Sequence, residues 1–172
     1  MIDENTPRKS GSINHLRLTV TDIPRSEVFY GRFAEFMGYK LVERTETRLS
    51  WAMPASHGNL QFLILSVAEN AQPHDRYAAG FHHCAWNAET REQVDQFHNL
   101  LVENGVEILD PPADYGYEPG YYAVFFADPD GLKLELAYVP QCGSETYWHL
   151  FEARGVNPLD DIQYQSGSNA TG

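Results

Sequence analysis

A pattern of residues that occurs twice along the chain constrains the fold more than any other feature. Each copy contains a histidine, a phenylalanine and a glycine: His15, Phe29 and Gly38 in the first, and His83, Phe97 and Gly105 in the second. The phenylalanine follows the histidine by 14 residues in both copies, and the glycine follows it by 23 residues in the first and 22 in the second. An internal repeat of this length indicates two copies of one structural unit. The sheet of each unit has one face that needs covering, so the two units are expected to pair.

Hydrophobic periodicity predicts the same order of elements, βαβββ, in both units. Strands are predicted at 13–20, 39–44, 48–53 and 60–67, and then at 81–88, 106–109, 121–127 and 132–139. A helix follows the first strand of each unit, opening at Asp22 and Pro24 or at the capping pair Thr90 and Gln93. The predicted fold is therefore α+β, with two tandem βαβββ modules that pair with each other.

The domain boundaries follow from these elements. We predict a flexible N-terminus at 1–12, a first module at 13–67, a linking loop at 68–79 and a second module at 80–140. A C-terminal extension, 141–172, is expected to end in a disordered polar segment.

Composition narrows the class of protein. The formal net charge is −12, from 24 acidic and 12 basic residues, which is a poor match to nucleic acid or to an anionic membrane. No apolar run is long enough to span a membrane, and the first residues lack the apolar core of a signal peptide, so a cytoplasmic location is expected. Cys84 and Cys142 form no metal-binding or redox motif.

Two adjacent histidines, His82 and His83, lie in the first predicted strand of the second unit. Neighbouring side chains of a strand point to opposite faces. Cys84 and Trp86 fit the face that packs under a helix, so His83 is expected on the polar face. His15 occupies the equivalent position in the first unit.

The last predicted strand adds a carboxylate to this polar face. Leu134 and Leu136 fit the packing face, which leaves Glu135 on the opposite one. His15, His83 and Glu135 together form a plausible site for a divalent metal such as iron, manganese, nickel or zinc, with positions left open for a substrate. The alternatives are a hydrogen-bonded core role for each histidine and an arginine partner for the buried carboxylate.

Two further polar residues each have two interpretations. Gln61 is either a fourth, weaker metal ligand or a hydrogen-bonded residue of the sheet interior. Arg17, two residues after His15, either binds a substrate anion or pairs with Glu135. The assignment of Gln61 to the interior places the apolar residues of its strand on the packing face: Leu60, Phe62 and Ile64.

Residues 13–139 resemble the vicinal oxygen chelate superfamily. "INHLRLTVTDIPRSEVFYGRF" resembles its opening strand and helix, "FHHCAWNAETREQVDQFHNLLVENGVEI" the start of its second module, and "YYAVFFADPDGLKLELAY" its closing hairpin. The resemblance implies that the two modules pair into a concave, partly closed eight-stranded sheet, with helices outside and a metal site inside. It carries the family's metal ligands onto His15, His83 and Glu135. It implies an enzyme that binds substrate through two vicinal oxygens on the metal, although the binding proteins of the family lack the metal.

The resemblance leaves the reaction open. Glyoxalase I places an arginine where this chain has Thr19, fosfomycin transferases place a threonine at Arg17, and two-domain extradiol enzymes place a tyrosine at Phe125. Three hypotheses therefore stand: an Fe(II) extradiol-type dioxygenase that cleaves a small catechol-like aromatic with O2, a glyoxalase-like lyase or isomerase using nickel or zinc, and a metal-free drug-binding resistance protein. The first is favoured, with Fe(II) as the metal, a small aromatic diol or α-hydroxycarbonyl as substrate and a homodimer as one option for assembly.

Aromatic residues of the second unit complete the prediction. Tyr115 and Tyr117, near Tyr121 and Tyr122, are expected to pack against an aromatic substrate. His74, on the loop before the second unit, is the candidate for proton transfer. Tyr122 is the second catalytic candidate.

Overall fold

In a computed structural model of the chain, the structure describes residues 13–55, 60–70 and 72–140. The ten elements follow the predicted order: β1 (His15–Val20), α1 (Ile23–Phe36), β2 (Lys40–Arg44), β3 (Arg48–Pro54), β4 (Leu60–Val67), β5 (Cys84–Ala88), α2 (Arg91–Glu103), β6 (Ile108–Asp114), β7 (Tyr122–Ala127) and β8 (Lys133–Tyr138). The predictions for 1–12 and 141–172 lie outside the described residues. No helix within the described ranges is long and apolar enough to cross a membrane.

Both helices begin and end at the residues that the sequence indicates. The side chains of Asp22 and Thr90 accept hydrogen bonds from backbone N–H groups of the first turns of α1 and α2. Gln93 completes the second cap by accepting a hydrogen bond from the backbone N–H of Glu89 at 2.7 Å. Beyond the helix ends, Gly38 has a φ of +82° and Gly105 a φ of +67°, a conformation that glycine adopts without strain.

The eight strands form two four-stranded sheets, which confirms the two-module α+β prediction. The order is β1-β4-β3-β2 in the first sheet and β5-β8-β7-β6 in the second. In each sheet the first strand of the module runs parallel to the last one, so β1 pairs with β4 and β5 with β8. The opening strand of each module is therefore an edge strand, a position that brings His15 and His83 to the edges of two separate sheets.

The helix-facing sides of both sheets contribute to one hydrophobic core. Phe33 of α1 is fully buried and packs edge-on against Phe97 of α2, with ring centroids 5.5 Å apart. Both rings contact Phe126 of β7, at 6.0 and 5.3 Å. Burying three such rings contributes several kcal/mol of hydrophobic free energy. The two modules thus pair through their helices, while the opposite face of each sheet is left for other contacts.

A turn between β7 and β8, predicted from the sequence "DPDG", joins the modules by polar contacts. The Tyr30 hydroxyl of α1 donates to Asp128 Oδ2 at 2.7 Å. Asp130 accepts a hydrogen bond from the backbone N–H of Thr21 at 2.9 Å and forms an ion pair with Arg25. Burial raises the pKa of Asp128, while the hydrogen bond from Tyr30 opposes that shift.

The observed strands differ most from the predicted ones at β5 and β6. β6 extends to Asp114 instead of ending at 109, although it contains Pro111 and Pro112. The strand tolerates both prolines because it is an edge strand with two register shifts against β7. β5 begins at Cys84, so both histidines directly precede the strand.

Candidate metal centre

The second sheet brings His83 and Glu135 together on the face away from the helices. In strand register Glu135 of β8 lies between Ala85 of β5 and Phe125 of β7. His83 Nε2 lies 3.3 Å from Glu135 Oε2, and the side chains are 36% and 2% exposed, respectively. His82 is exposed and contacts the ring of His83, with the two Nδ1 atoms 2.6 Å apart. Of the two histidines, His83 therefore approaches the carboxylate, although β5 begins only at Cys84 and neither histidine lies in the strand.

Tyr121 holds the other oxygen of Glu135. Its hydroxyl donates to Glu135 Oε1 at 2.6 Å, a short bond typical of a hydroxyl and a carboxylate. The sequence predicts Tyr121 near the site and Tyr122 as a catalytic residue, but it is Tyr121 that contacts the carboxylate. The signal that separates them is the alternation of β7, because Tyr121 continues the face of Ala123 and Phe125.

Burial shifts the pKa values of both site residues toward the neutral forms. The pKa of Glu135 is raised by burial, against the opposing effects of the Tyr121 hydrogen bond and the nearby Lys133 ammonium. The pKa of His83 is lowered by burial and further by Lys133. The imidazole is thereby kept in the neutral form that binds metals.

Aromatic rings surround the His83–Glu135 pair. Tyr115 stacks on Tyr117 with centroids 5.7 Å apart and planes only 4° from parallel. Tyr115 also meets Phe125 edge-on at 5.2 Å, and Phe125 lies 6.2 Å from the ring of His83. Tyr117 meets Tyr121 edge-on at 5.3 Å. The structure thus brings the predicted pair, Tyr115 and Tyr117, to the carboxylate as part of a continuous aromatic wall.

The first sheet holds His15 and Arg17 on its own open face. In register His15 lies beside Phe62 and Arg17 beside Ile64, and both polar side chains are exposed. His15 does not join His83 and Glu135: across residues 13–55, 60–70 and 72–140, no group of three or more His, Cys, Asp and Glu side chains is placed to hold a metal ion. Arg17 donates from Nε to Ser66 Oγ at 3.0 Å and forms no ion pair with Glu135.

The predicted orientation of β4 is wrong. Because His15 is paired with Phe62, Gln61 lies on the opposite face of the sheet from His15. Gln61 is instead paired with Met53, which packs against the helix-covered core. The residues that bury the helix side of β4 are Leu63 and Leu65, at 1% and 0% exposure. This geometry gives Gln61 no route to ligate a metal beside His15.

Both predicted catalytic residues, His74 and Tyr122, lie away from Glu135. His74 is exposed and lines a cleft with Arg17 and Asp130, which includes neither His83 nor Glu135. Tyr122 lies on the helix side of β7, where its hydroxyl donates to Asp95 at 2.7 Å. The Arg91 guanidinium lies 3.9 Å above the Tyr122 ring.

The donor chemistry of His83 and Glu135 fits a divalent transition metal. Imidazole nitrogen and carboxylate oxygen are ligands shared by iron, manganese, nickel and zinc sites. Tyr121 gives the carboxylate the supporting hydrogen bond that metal-binding carboxylates usually receive. The pair therefore supplies two of the three predicted ligands in one place.

Comparison with known proteins agrees with this architecture. YqjT of Bacillus subtilis (strain 168) is 31% identical over 134 residues, which are 76% of this chain and 100% of YqjT. The crystal structure of a candidate glyoxalase from Bacillus halodurans is 26% identical, has a TM-score of 0.63, and covers 75% of this chain and 96% of its own.

A further solved structure shares the fold alone. Lactoylglutathione lyase from Agrobacterium tumefaciens is 17% identical with a TM-score of 0.57, covering 79% of this chain and 99% of its own.

Residues 12–136, most of the chain, match the sequence profile of the Glyoxalase/Bleomycin resistance protein/Dioxygenase superfamily. The chain therefore belongs to that superfamily, whose two-module fold accounts for the internal repeat of the sequence.

Proposed function

We propose that this protein is a metal-dependent enzyme that opens the ring of a small catechol-like aromatic with O2. The observation that carries the proposal is the aromatic wall beside the His83–Glu135 pair. Tyr115 and Tyr117 are nearly parallel and Phe125 is perpendicular to Tyr115. Such an arrangement offers both flat faces and edges to an aromatic ring.

The roles of the chain's own residues follow from their contacts. His83 and Glu135 would hold the metal, and Tyr121 would fix the carboxylate through the bond to Oε1. A divalent iron in this place would bring both catechol oxygens and O2 together, so that proximity supplies much of the rate. The stacked Tyr115 and Tyr117 would orient the ring. Each turnover consumes one O2, and both of its oxygen atoms enter the ring-opened product.

The third ligand is His15, and we propose that a second copy of the chain supplies it. Within one chain the open face of each sheet carries only part of the ligand set, His15 on the first and His83 with Glu135 on the second. A twofold dimer that places the first sheet of one copy against the second sheet of the other would complete two identical sites. The exposure of His15 and of His83 in the single chain is consistent with such an assembly.

The test is oxygen uptake by protein loaded anaerobically with Fe(II). Simple, carboxylated and amino-acid catechols form the substrate panel, with an oxygen electrode and an absorbance scan as readouts. We expect one O2 consumed per ring opened and a yellow semialdehyde-type product, with zinc unable to replace iron. Absence of oxygen uptake with every catechol, by protein that binds iron stoichiometrically, would rule the dioxygenase out.

A second candidate is a glyoxalase-like lyase or isomerase that uses nickel or zinc. Its support is the 26% identity to the Bacillus halodurans candidate glyoxalase. Here Glu135 would take a proton next to a carbonyl, and no O2 would be consumed. Turnover of a thiohemiacetal by the nickel-loaded protein under anaerobic conditions would favour this activity. A metal-free drug-binding protein, the third hypothesis, would bind neither metal with stoichiometric occupancy.

A further inference from the structure

A concavity on the open face of the first sheet contains Arg17 and the ion pair between Arg48 and Glu43. Its volume is about 530 Å³, within the range of small-molecule sites. We call it the Arg17 concavity, and its lining includes His15, Arg17, Glu43, Arg48, Phe62 and Ile64. No part of the aromatic wall of the second sheet belongs to it.

The Arg17 side chain is held in place at this concavity. Its Nε donates to Ser66 Oγ at 3.0 Å, and Ser66, on the adjacent strand β4, is 7% exposed. The Nη1 and Nη2 fork, the part of a guanidinium that binds a carboxylate through two parallel hydrogen bonds, is not used by this bond. A side chain that is already oriented loses less conformational entropy when it binds a ligand.

Arg17, like Arg32 and Arg76, forms no ion pair with a carboxylate of the described residues, whereas the other four arginines of that part of the chain do. Four arginines pair with carboxylates: Arg25, Arg44, Arg48 and Arg91. None of the ion pairs formed among the described residues involves Arg17. In a chain with 24 acidic and 12 basic residues, a guanidinium that is fixed by a serine instead of a carboxylate is suited to an anion from outside the protein.

The remaining lining indicates what accompanies the anion. Phe62 and Ile64 supply an apolar surface beside Arg17, and Ile64 is 8% exposed. Ser50, at 3% exposure, adds a hydroxyl. An apolar wall next to one fixed cation fits a planar carboxylate on an aromatic body better than it fits a hydrated inorganic anion.

We infer that the Arg17 concavity binds the carboxylate of an aromatic acid, so that the substrate of this enzyme is an aromatic carboxylate and not a neutral catechol. The inference rests on the proposed function for the statement that the bound acid is the substrate. The link is the position of Arg17, two residues from His15 on the same face of β1. Any site that includes His15 therefore has this guanidinium beside it.

The experiment measures binding to metal-free protein and needs no turnover. Benzoate is titrated into chelator-treated protein, followed by calorimetry and by backbone amide chemical shifts, with benzamide as the neutral analogue. We expect benzoate to shift amides of β1 and β4 and to bind more tightly than benzamide, with an affinity that falls as salt is added. Arg17→Leu should raise the Kd of benzoate about tenfold or more and leave that of benzamide unchanged.

Two variants control for indirect effects. Arg44→Leu removes an exposed arginine that pairs with Glu27 outside the concavity, and it should leave the benzoate Kd unchanged. Arg17→Lys keeps the charge but loses the fork, so its Kd should lie between those of the wild type and Arg17→Leu. Circular dichroism establishes that each variant is folded.

Three results would overturn the inference. They are equal binding of benzoate and benzamide by the wild type, an unchanged benzoate Kd in folded Arg17→Leu, and benzoate shifts confined to the groove between α1 and α2, which Arg25 and Arg32 line. Failure of the proposed function is a separate outcome, because it would appear as missing oxygen uptake in protein whose benzoate binding still depends on Arg17.

Discussion

At the scale of single residues, His82 and His83 are adjacent in the sequence but only His83 Nε2 lies 3.3 Å from Glu135. We expect His83→Ala to abolish stoichiometric binding of Fe(II), since it removes one of the three proposed ligands. His82→Ala should retain the metal, with affinity changed by a few-fold at most. Anaerobic titration against a competing chelator measures both. Loss of metal in folded His82→Ala, together with a loaded His83→Ala, would reverse the assignment.

Tyr121 and Tyr122 provide a second matched pair. Tyr121→Phe removes the hydrogen bond that orients Glu135 Oε1, and loss of such a supporting contact typically weakens metal binding about 10- to 100-fold. Tyr122→Phe removes a hydroxyl that bonds to Asp95 on the helix side, so metal affinity should not change. The same chelator titration is the measurement. Equal affinities in the two variants would show that Tyr121 does not position the carboxylate.

Sequence reasoning at this scale succeeded where a strand has one polar face and failed where both faces are apolar. Around Glu135 the leucines on either side mark the packing face, and the carboxylate contrasts with them. In β4 no such contrast exists, because Leu63, Ile64 and Leu65 are all at most 8% exposed. The orientation of β4, and hence of Gln61, is decided by its pairing with β1 and β3, which a single sequence does not display.

At the scale of elements, the caps and turns are local and were predicted, whereas strand extents depend on neighbours. The capping residues of both helices and the turn at 128–131 act within a few residues of the chain. β6 was predicted too short because its prolines usually end a strand. Its edge position, a consequence of the order β5-β8-β7-β6, removes the need for their missing N–H groups.

The contact between α1 and the β7–β8 turn leads to a stability prediction. Tyr30 is fully buried and donates to Asp128, so Tyr30→Phe should lower the free energy of unfolding by about 1–3 kcal/mol. The loss should be larger at high pH, where Asp128 is ionised and the bond is charge-assisted. Urea unfolding at several pH values measures this, with Tyr122→Phe as a control expected to cost less because its partner Asp95 is exposed.

The sign of the pH dependence follows from the shifted pKa. Burial raises the pKa of Asp128 above its ordinary value of 3.8, so between 3.8 and the raised value the folded state binds more protons than the unfolded state. The contribution of Asp128 to stability therefore falls as pH rises through that window. In Tyr30→Phe the opposing hydrogen bond is lost, so the free energy of unfolding should fall more steeply with pH. If the difference in free energy of unfolding between the variant and the wild type instead shrinks toward high pH, this account is contradicted.

At the scale of the whole molecule, the repeat in the sequence predicted the pairing of the modules but not which faces meet. The two helices and the helix-facing sides of both sheets share a core that includes Phe33, Phe97 and Phe126. The other faces carry the candidate ligands, which form no group of three within the described part of one chain. The symmetry of the repeats allows the modules to pair through their helix-covered faces or through their open faces. The packing of the three phenylalanine rings identifies the helix-covered faces as the ones that meet.

A mixing experiment distinguishes a site completed by a second copy from a site within one chain. His15→Ala and Glu135→Ala should each be inactive and unable to hold the metal stoichiometrically. In a twofold dimer that pairs His15 of one copy with His83 and Glu135 of the other, a mixed dimer of the two variants has one site with both substitutions and one intact site. After subunit exchange of equal amounts, half of the dimers are mixed, so about a quarter of the wild-type sites and activity should return.

The control for this experiment places both substitutions in one chain. Mixing the double variant His15→Ala/Glu135→Ala with an equal amount of wild-type chain gives mixed dimers in which each site lacks one ligand. Only the dimers of two wild-type chains then remain active, and they are about a quarter of all dimers. The mixture should therefore show about a quarter of the activity of the same amount of wild-type protein. A site within one chain would instead give no recovery in the first mixture and about half of the activity in the second. That pair of values, with subunit exchange verified by mass spectrometry, would refute the two-copy site.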